Sequence, residues 1–304
     1  MKLLFEAGLA ISLLLSPIQA DISTGTFHWP EPGQQSSKIE VVAHRGASGY
    51  APENTMAAFD KAVEMGADAI ELDVHRSKDG ELVVIHDATV DRTTDGTGRV
   101  QDLTLEELKS LDAGGWMGWQ FAGEKIPTLA EVLDRYSGKI KILIELKTPD
   151  VYPGIEEQVA DMLRKRRLDQ PQNEEVMIQS FNFDSMKKMK ELLPGVPVGV
   201  LTSSPNHTTD EWLDEFATYA DYFNPHYSLV TEDLVTRVRD KGLKIGAWTV
   251  RTREAARFLV DMQVDAIITD YPDYVHPKTG IFIKWQQTER RMEDVGMESA
   301  SRSH

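Results

Sequence analysis

The chain has no cysteine among its 304 residues. That excludes a disulfide framework, thiolate catalysis and a cysteine-based zinc site, and it suits a protein that must survive oxidising conditions. Positive charge is the second shortage. Only 33 Lys and Arg stand against 49 Asp and Glu, for a formal net charge of −16. Phosphate backbones and anionic bilayers are bound through an excess of Lys and Arg, so no nucleic acid partner is expected. An anionic substrate would need a local cluster of cations to overcome the global field. Long apolar runs are scarce too. Ala7 to Leu15 is mostly apolar, but a bilayer span needs about 20 residues. With Lys2 before it and Ser16-Pro17-Ile18-Gln19-Ala20 after it, the stretch reads as a signal peptide over residues 1–20. A secreted or periplasmic location is therefore expected, or a cytoplasmic one if the stretch is not processed. No stable membrane insertion is expected.

Apolar residues make up 41 % of the chain and charged residues 27 %, the balance of a soluble globular protein. Residues 21–38 are rich in Ser, Thr, Pro, Gly and Gln and read as an arm, and residues 283–304 read as a frayed tail. Between them, over 39–282, short apolar runs alternate with helical patterns. The predicted strands are Ile39–His44, Ala69–Val74, Leu82–His86, Ile140–Lys147, Val176–Phe181, Val198–Leu201, Asp221–Asn224, Lys244–Val250 and Asp265–Thr269. Helical patterns such as Asn54–Met65, Leu129–Tyr136, Glu156–Arg166 and Thr252–Met262 separate most of them. Such alternation implies parallel βα units and an α/β fold of the TIM (β/α)8 type, which needs eight strands and about 250 residues. One of the nine is therefore surplus. Only His75 to Glu81 separate the second from the third, too few for a crossover. Asp79-Gly80 is a strong hairpin signal, so Leu82–His86 is predicted to return antiparallel. A two-residue turn there pairs Lys78 with Glu81 and sets His86 opposite Asp73, with Glu71 on the same face. Residues 87–127 are too irregular for a βα unit and are expected to form a small inserted cap.

Four clusters carry candidate chemistry. His44-Arg45 closes the first strand, where a TIM barrel builds its active site, although a satisfied histidine and a solvent arginine would look the same. Glu71 and Asp73 alternate within an apolar strand flanked by Ile70, Leu72 and Val74. Like charges buried side by side are costly unless a cation sits between them, so a metal is the favoured reading over a wet edge strand. His86-Asp87 ends the return arm and offers a proton carrier near neutral pH. Glu145 and Lys147 share a face of a greasy strand. A structural ion pair is one reading, and a metal on Glu145 with a phosphate on Lys147 is the other. An all-carboxylate ligand set suits one hard divalent cation, Mg²⁺ or Ca²⁺, rather than zinc. Asn54 reads as the cap of the first helix, with Glu53 near enough to brace the site. Trp248 reads as a substrate wall or as core, His75 as structural, and His207 and His226 as belonging to no constellation.

Taken in order, His44-Arg45-Gly46, Pro52-Glu53-Asn54-Thr55, Glu71-Leu72-Asp73-Val74, Lys78-Asp79-Gly80, Val84-Ile85-His86-Asp87 and Ile144-Glu145-Leu146-Lys147 resemble the signature of the glycerophosphodiester phosphodiesterase family. Ala247-Trp248-Thr249-Val250 and Ile268-Thr269-Asp270-Tyr271-Pro272 fit as well. The resemblance implies a TIM barrel with a small cap and a small-molecule glycerophosphodiester cleaved to glycerol 3-phosphate and an alcohol. It implies His44 and His86 as general acid and base, Glu71, Asp73 and Glu145 on a divalent metal, and Arg45 and Lys147 on the phosphate. Two alternatives are a phospholipase acting on lysophospholipid or phosphatidylinositol head groups and a non-catalytic secreted phosphate-ester binding protein.

Overall fold

A computed structural model describes residues 38–170 and 175–275. The expected signal peptide, nearly all of the arm, and the tail lie outside the described residues. Nine strands form one sheet: β1 (Glu40–Ala43), β2 (Ala69–Arg76), β3 (Leu82–Val84), β4 (Lys141–Leu146), β5 (Val176–Ser180), β6 (Val198–Thr202), β7 (Tyr222–Pro225), β8 (Lys244–Val250) and β9 (Ala266–Thr269). The order runs β1-β9-β8-β7-β6-β5-β4-β2, and β1 also pairs with β2. Eight parallel strands thus close a barrel, with β3 antiparallel on the far end of β2. The helices are α1 (Met56–Met65), α2 (Leu105–Ser110), α3 (Leu129–Tyr136), α4 (Ile155–Lys165), α5 (Phe183–Leu192), α6 (Asp210–Phe216), α7 (Glu232–Asp240) and α8 (Arg253–Asp261). Among the described residues no helix is long and apolar enough to cross a membrane.

The period of two in each strand sorts its side chains. In β2, Ile70, Leu72 and Val74 face out into the main core against the helices. Ala69, Glu71 and Asp73 have the other parity and face the barrel axis, where Ala69 packs with Val42, Leu143, Ala266 and Ile268. Apolar residues therefore fill the floor of the barrel, and charged residues occupy the same face nearer its mouth. Most of the longer helices start on a side-chain cap: Thr55, Thr128, Asn182, Thr231 and Thr252 each accept a backbone N–H of the first turn, a contact typically worth about 1 kcal/mol. The insertion holds α2 and a core of its own, with Val83, Ile85, Val90, Val100, Leu108, Ala113 and Ile126 packed together.

Two expectations need correction. The hairpin register is off by one: Val74 pairs with Val84, His75 with Val83 and Arg76 with Leu82. Ile85, not His86, therefore stands opposite Asp73, and its N–H donates to the Asp73 carbonyl at 3.0 Å. The cause is the turn. The N–H of Ser77 donates to the Glu81 carbonyl and Gly80 adopts φ +93°, which makes a three-residue loop with a left-handed glycine rather than a two-residue turn. The second correction is the cap of α1, which is Thr55 and not Asn54. Asn54 sits at φ +58°, and its side chain is committed elsewhere.

Candidate active site

Parallel register brings the acidic residues together. Asp73 on β2 is the direct neighbour of Glu145 on β4, and Glu71 lies two residues earlier on the same inward face. Carboxylate oxygens of Glu71, Asp73 and Glu145 all lie within 4.8 Å of one another, and all three residues are buried. Each has one side already fixed. Glu71 Oε2 accepts the Arg45 N–H at 2.8 Å. Asp73 Oδ2 accepts the Asn54 amide at 2.8 Å, while Asn54 Oδ1 accepts the Asp73 N–H at 3.2 Å. Glu145 Oε1 accepts Lys147 Nζ at 2.6 Å. Glu71 Oε1 and Asp73 Oδ1 are buried with no hydrogen-bond partner. A buried orphan carboxylate oxygen is costly, and two of them beside a third carboxylate fit a hard divalent cation with oxygen ligands.

The electrostatics agree. Burial, and then the neighbouring charges of Asp73 and Glu145, push the Glu71 carboxyl well above its ordinary range. Burial and the charge of Asp73 push Glu145 up to about 7. Asp73 is held down at about 2: burial opposes its charge, but Lys147, Arg45 and His86 outweigh that. Lys147 and Arg45 thus keep only one of the three carboxyls firmly ionised, and a further cation would let the other two ionise as well.

The cations stand at the rim. Arg45 follows β1 at φ +56°; its Nη1 donates to Glu53 Oε1 at 2.9 Å, and its Nε lies 3.4 Å from Asp73 Oδ2. Behind it Gly46 is required: at φ +80° a side chain would be strained, and a Cβ would lie 2.6 Å from the backbone of Ala58 in α1. Lys147 Nζ lies 3.6 Å from Asp73 Oδ1. Burial disfavours both cations, yet their acidic neighbours hold both above their ordinary pKa.

The two histidines have separate supports. His44 is buried, and its Nδ1 lies 2.6 Å from Asp270 Oδ1 just past β9. Asp270 Oδ2 accepts Arg251 Nε at 2.6 Å. Burial lowers the His44 pKa against the pull of Asp270. His86 is less enclosed, and its Nδ1 lies 2.7 Å from Asp87 Oδ1. It lies past the last β3 residue, where the ladder no longer dictates its face, so the register slip does not exclude it: its charge couples to Asp73, Arg45 and Lys147. Burial is again the first cause of its lowered pKa. His75 also touches this arm. It is buried against the Tyr152 hydroxyl at 2.9 Å, with its Nε2 3.0 Å from the His86 carbonyl oxygen.

The opposite wall of the mouth is aromatic. Trp248 on β8 is half-buried, and its Nε1 donates to the Asn224 carbonyl at 2.7 Å. Its ring meets Phe181 and His226 edge to face, each at 5.3 Å. Lys147 Nζ lies 6.0 Å from the Phe181 ring, where the two walls meet. His226 thus belongs to a cluster after all, and His207 packs with Phe183 and Trp212. Asn54, Asp270 and Arg92, to which sequence reasoning gave no role in the site, bond to Asp73, His44 and the Glu53/Asp87 pair respectively.

Comparison with known proteins gives a consistent result. The family model described as the glycerophosphoryl diester phosphodiesterase family matches residues 44–274. YhdW of Bacillus subtilis is 48 % identical over 237 residues, 77 % of this chain and 96 % of that protein. The glycerophosphodiester phosphodiesterase of Bacillus subtilis is 39 % identical over 278 residues, 88 % of this chain and 92 % of that one. Among solved structures, the Oleispira antarctica phosphodiesterase in complex with the product sn-glycerol-3-phosphate is similar with a TM-score of 0.69. It is 33 % identical and covers 78 % of this chain and 94 % of that one.

Proposed function

This chain belongs to the glycerophosphoryl diester phosphodiesterase family, and from that premise we propose a metal-assisted, two-histidine cleavage of glycerophosphodiesters to glycerol 3-phosphate and an alcohol. The observation that carries the proposal is the pair of buried oxygens without a hydrogen bond on Glu71 and Asp73 beside Glu145. These three residues would hold one divalent cation, Mg²⁺ or Ca²⁺. When bound, that ion supplies positive charge against the phosphate oxygens and the charge that grows on them.

The chain's own residues do the rest. Arg45 presents forked donors to the phosphate and Lys147 a point charge. This is the local cationic patch that a chain of net charge −16 needs for an anionic substrate. Asp270 holds His44, and Asp87 holds His86, each through Nδ1. An ionised carboxylate only accepts hydrogen bonds, so Nδ1 carries the hydrogen and Nε2 is the nitrogen left for proton transfer. One imidazole takes the proton of the attacking hydroxyl, which belongs to water or to the substrate's own glycerol; in the second case a cyclic phosphate forms, and water must then open it to give glycerol 3-phosphate. The other gives a proton to the departing alkoxide. Positioned proton transfer of this kind is typically worth about 10²–10⁴-fold. Trp248 and Phe181 form the wall against which the organic part of the substrate lies.

The test is release of glycerol 3-phosphate from glycerophosphocholine. Turnover should vanish with EDTA and return with Mg²⁺ or Ca²⁺, and a lysophospholipid should be cleaved far more slowly. Turnover indifferent to chelation would overturn the metal assignment, and faster cleavage of the lysolipid would overturn the substrate class.

A further inference from the structure

Arg92 belongs to the insertion and to none of the groups that face the substrate. Its guanidinium nevertheless makes two forks. Nη1 and Nη2 donate to Glu53 Oε2 and Oε1 at 2.8 and 2.7 Å, while Nε and Nη2 donate to Asp87 Oδ2 and Oδ1 at 2.7 and 3.1 Å. Each carboxylate carries one further bond into the site. Glu53 Oε1 accepts Arg45 Nη1 at 2.9 Å, and Asp87 Oδ1 lies 2.7 Å from His86 Nδ1. A single side chain therefore stands at the centre of a line Arg45–Glu53–Arg92–Asp87–His86. The phosphate cation is at one end and a proton carrier at the other.

We propose that Arg92 is a positioning residue that sets Arg45 and His86 together, coupling the placement of the phosphate to the placement of the proton-transfer group. The inference rests on the roles given to Arg45 and His86 above. Only a guanidinium can serve two carboxylates bidentately at once, because the ammonium of lysine has no planar fork. The turn that carries Arg92 is anchored independently: Thr94 Oγ1 donates to the Val90 carbonyl at 2.8 Å, and Val90 is part of the insertion's apolar core. The partly exposed guanidinium can be removed without emptying that core.

The test uses six variants of the full-length protein with glycerophosphocholine and saturating Mg²⁺. Glu53→Gln cuts only the Arg45 branch and should act mainly on KM. Asp87→Asn cuts only the His86 branch and should act mainly on kcat. Arg92→Met should do both at once, with kcat down about tenfold to a hundredfold, the range typical of groups that orient a ligand from behind, and KM raised severalfold. The Asp87→Asn/Arg92→Met double variant should have the kcat of Asp87→Asn alone. Arg92→Lys keeps the charge without the fork and should show the same double loss, which serves also if Arg92→Met melts early. Wild-type kinetics in Arg92→Lys, or losses that simply multiply in the double variant, would overturn the inference. His86→Ala separates the two levels. If it is inactive while the Arg92 variants are normal, only the coupling fails. If it turns over near the wild-type rate, the acid–base reading fails first.

Discussion

The barrel mouth has two walls of opposite character. At the mouth ends of β1, β2, β4 and β9 stand charged residues bonded to one another or to a neighbouring side chain: Arg45 to Glu53, Asp73 to Asn54, Glu145 to Lys147, His44 to Asp270. On β5, β7 and β8 the inward and rim residues are aromatic or neutral: Phe181, His226 and Trp248 meet through ring edges. Fixed charges arranged before substrate arrives lower a barrier, because they need no reorganisation as charge develops. An apolar wall binds substrate and transition state about equally, so it governs KM and choice of substrate more than kcat. The division of the mouth is thus a division between rate and recognition, and it can be broken from either side.

The largest effect should come from the charged wall. His44→Ala should lower kcat by about 10²–10⁴-fold with little change in KM. Asp270→Asn, which leaves the imidazole in place but disturbs its tautomer, should approach that loss, up to about 10⁴-fold. Stopped assays of glycerol 3-phosphate release would measure both. If His44→Ala raised KM and spared kcat, the charged wall would be a binding surface and the contrast between the walls would collapse.

A smaller effect, on stability, sharpens the same contrast. Burial and mutual repulsion raise the carboxyls of Glu71 and Glu145, the latter to about 7. In the chelated protein these groups stay protonated while their unfolded counterparts ionise above about 4.5. Unfolding then releases protons, so this contribution to stability is present at low pH and is lost as pH rises through about 7. His44, His75 and His86, with lowered values, act in the opposite sense below about 6.5, so the comparison belongs above that pH. The gain in melting temperature on adding Mg²⁺ or Ca²⁺ should therefore grow between about pH 6.5 and 8, as bound protons cease to compete. At a hundredfold excess over Kd the gain is about 2.7 kcal/mol, or about 5–10 °C for a domain of this size. A gain independent of pH, followed by differential scanning, would show that the cation binds elsewhere.

How far the sequence could be read follows the same line. Strand parity is local, so Glu71 and Asp73 could be put on one face of an apolar strand, and Glu145 with Lys147 on one face of another, from the sequence alone. The barrel itself was legible from eight parallel-type runs with helices between them. What escaped depended on backbone conformation or on distant partners. Asn54 and Thr55 are equally good helix caps by type, and only the left-handed backbone at Asn54 turns its amide toward Asp73. The hairpin register turned on whether Gly80 closed a two- or a three-residue loop, which Asp79-Gly80 does not decide. Glu53 and Arg92 are 39 residues apart, and Asp270 reaches His44 across 226 residues. No periodicity records such pairs. The aromatic wall was least legible, because Phe181, His226 and Trp248 come from three strand ends and each alone resembles core.

That wall should give the smallest effect. Trp248 is tied to the Asn224 carbonyl through Nε1 and to Phe181 and His226 through ring contacts, but it bonds to none of the three acidic residues. Edge-to-face pairs are worth about 0.5–1.5 kcal/mol each beyond their buried area, and a bound organic group would gain a similar amount from the same surface. Trp248→Ala should accordingly raise KM for glycerophosphocholine by up to about tenfold, about 1.4 kcal/mol, and change kcat by less than about threefold. Trp248→Phe, which keeps a ring without the Nε1 donor, should fall between the two. Steady-state kinetics across several head groups would also show whether the loss varies with the alcohol. A kcat loss in Trp248→Ala comparable to that of His44→Ala would mean that the aromatic wall also orders the reacting groups, and that rate and recognition are not divided between the two sides of the mouth.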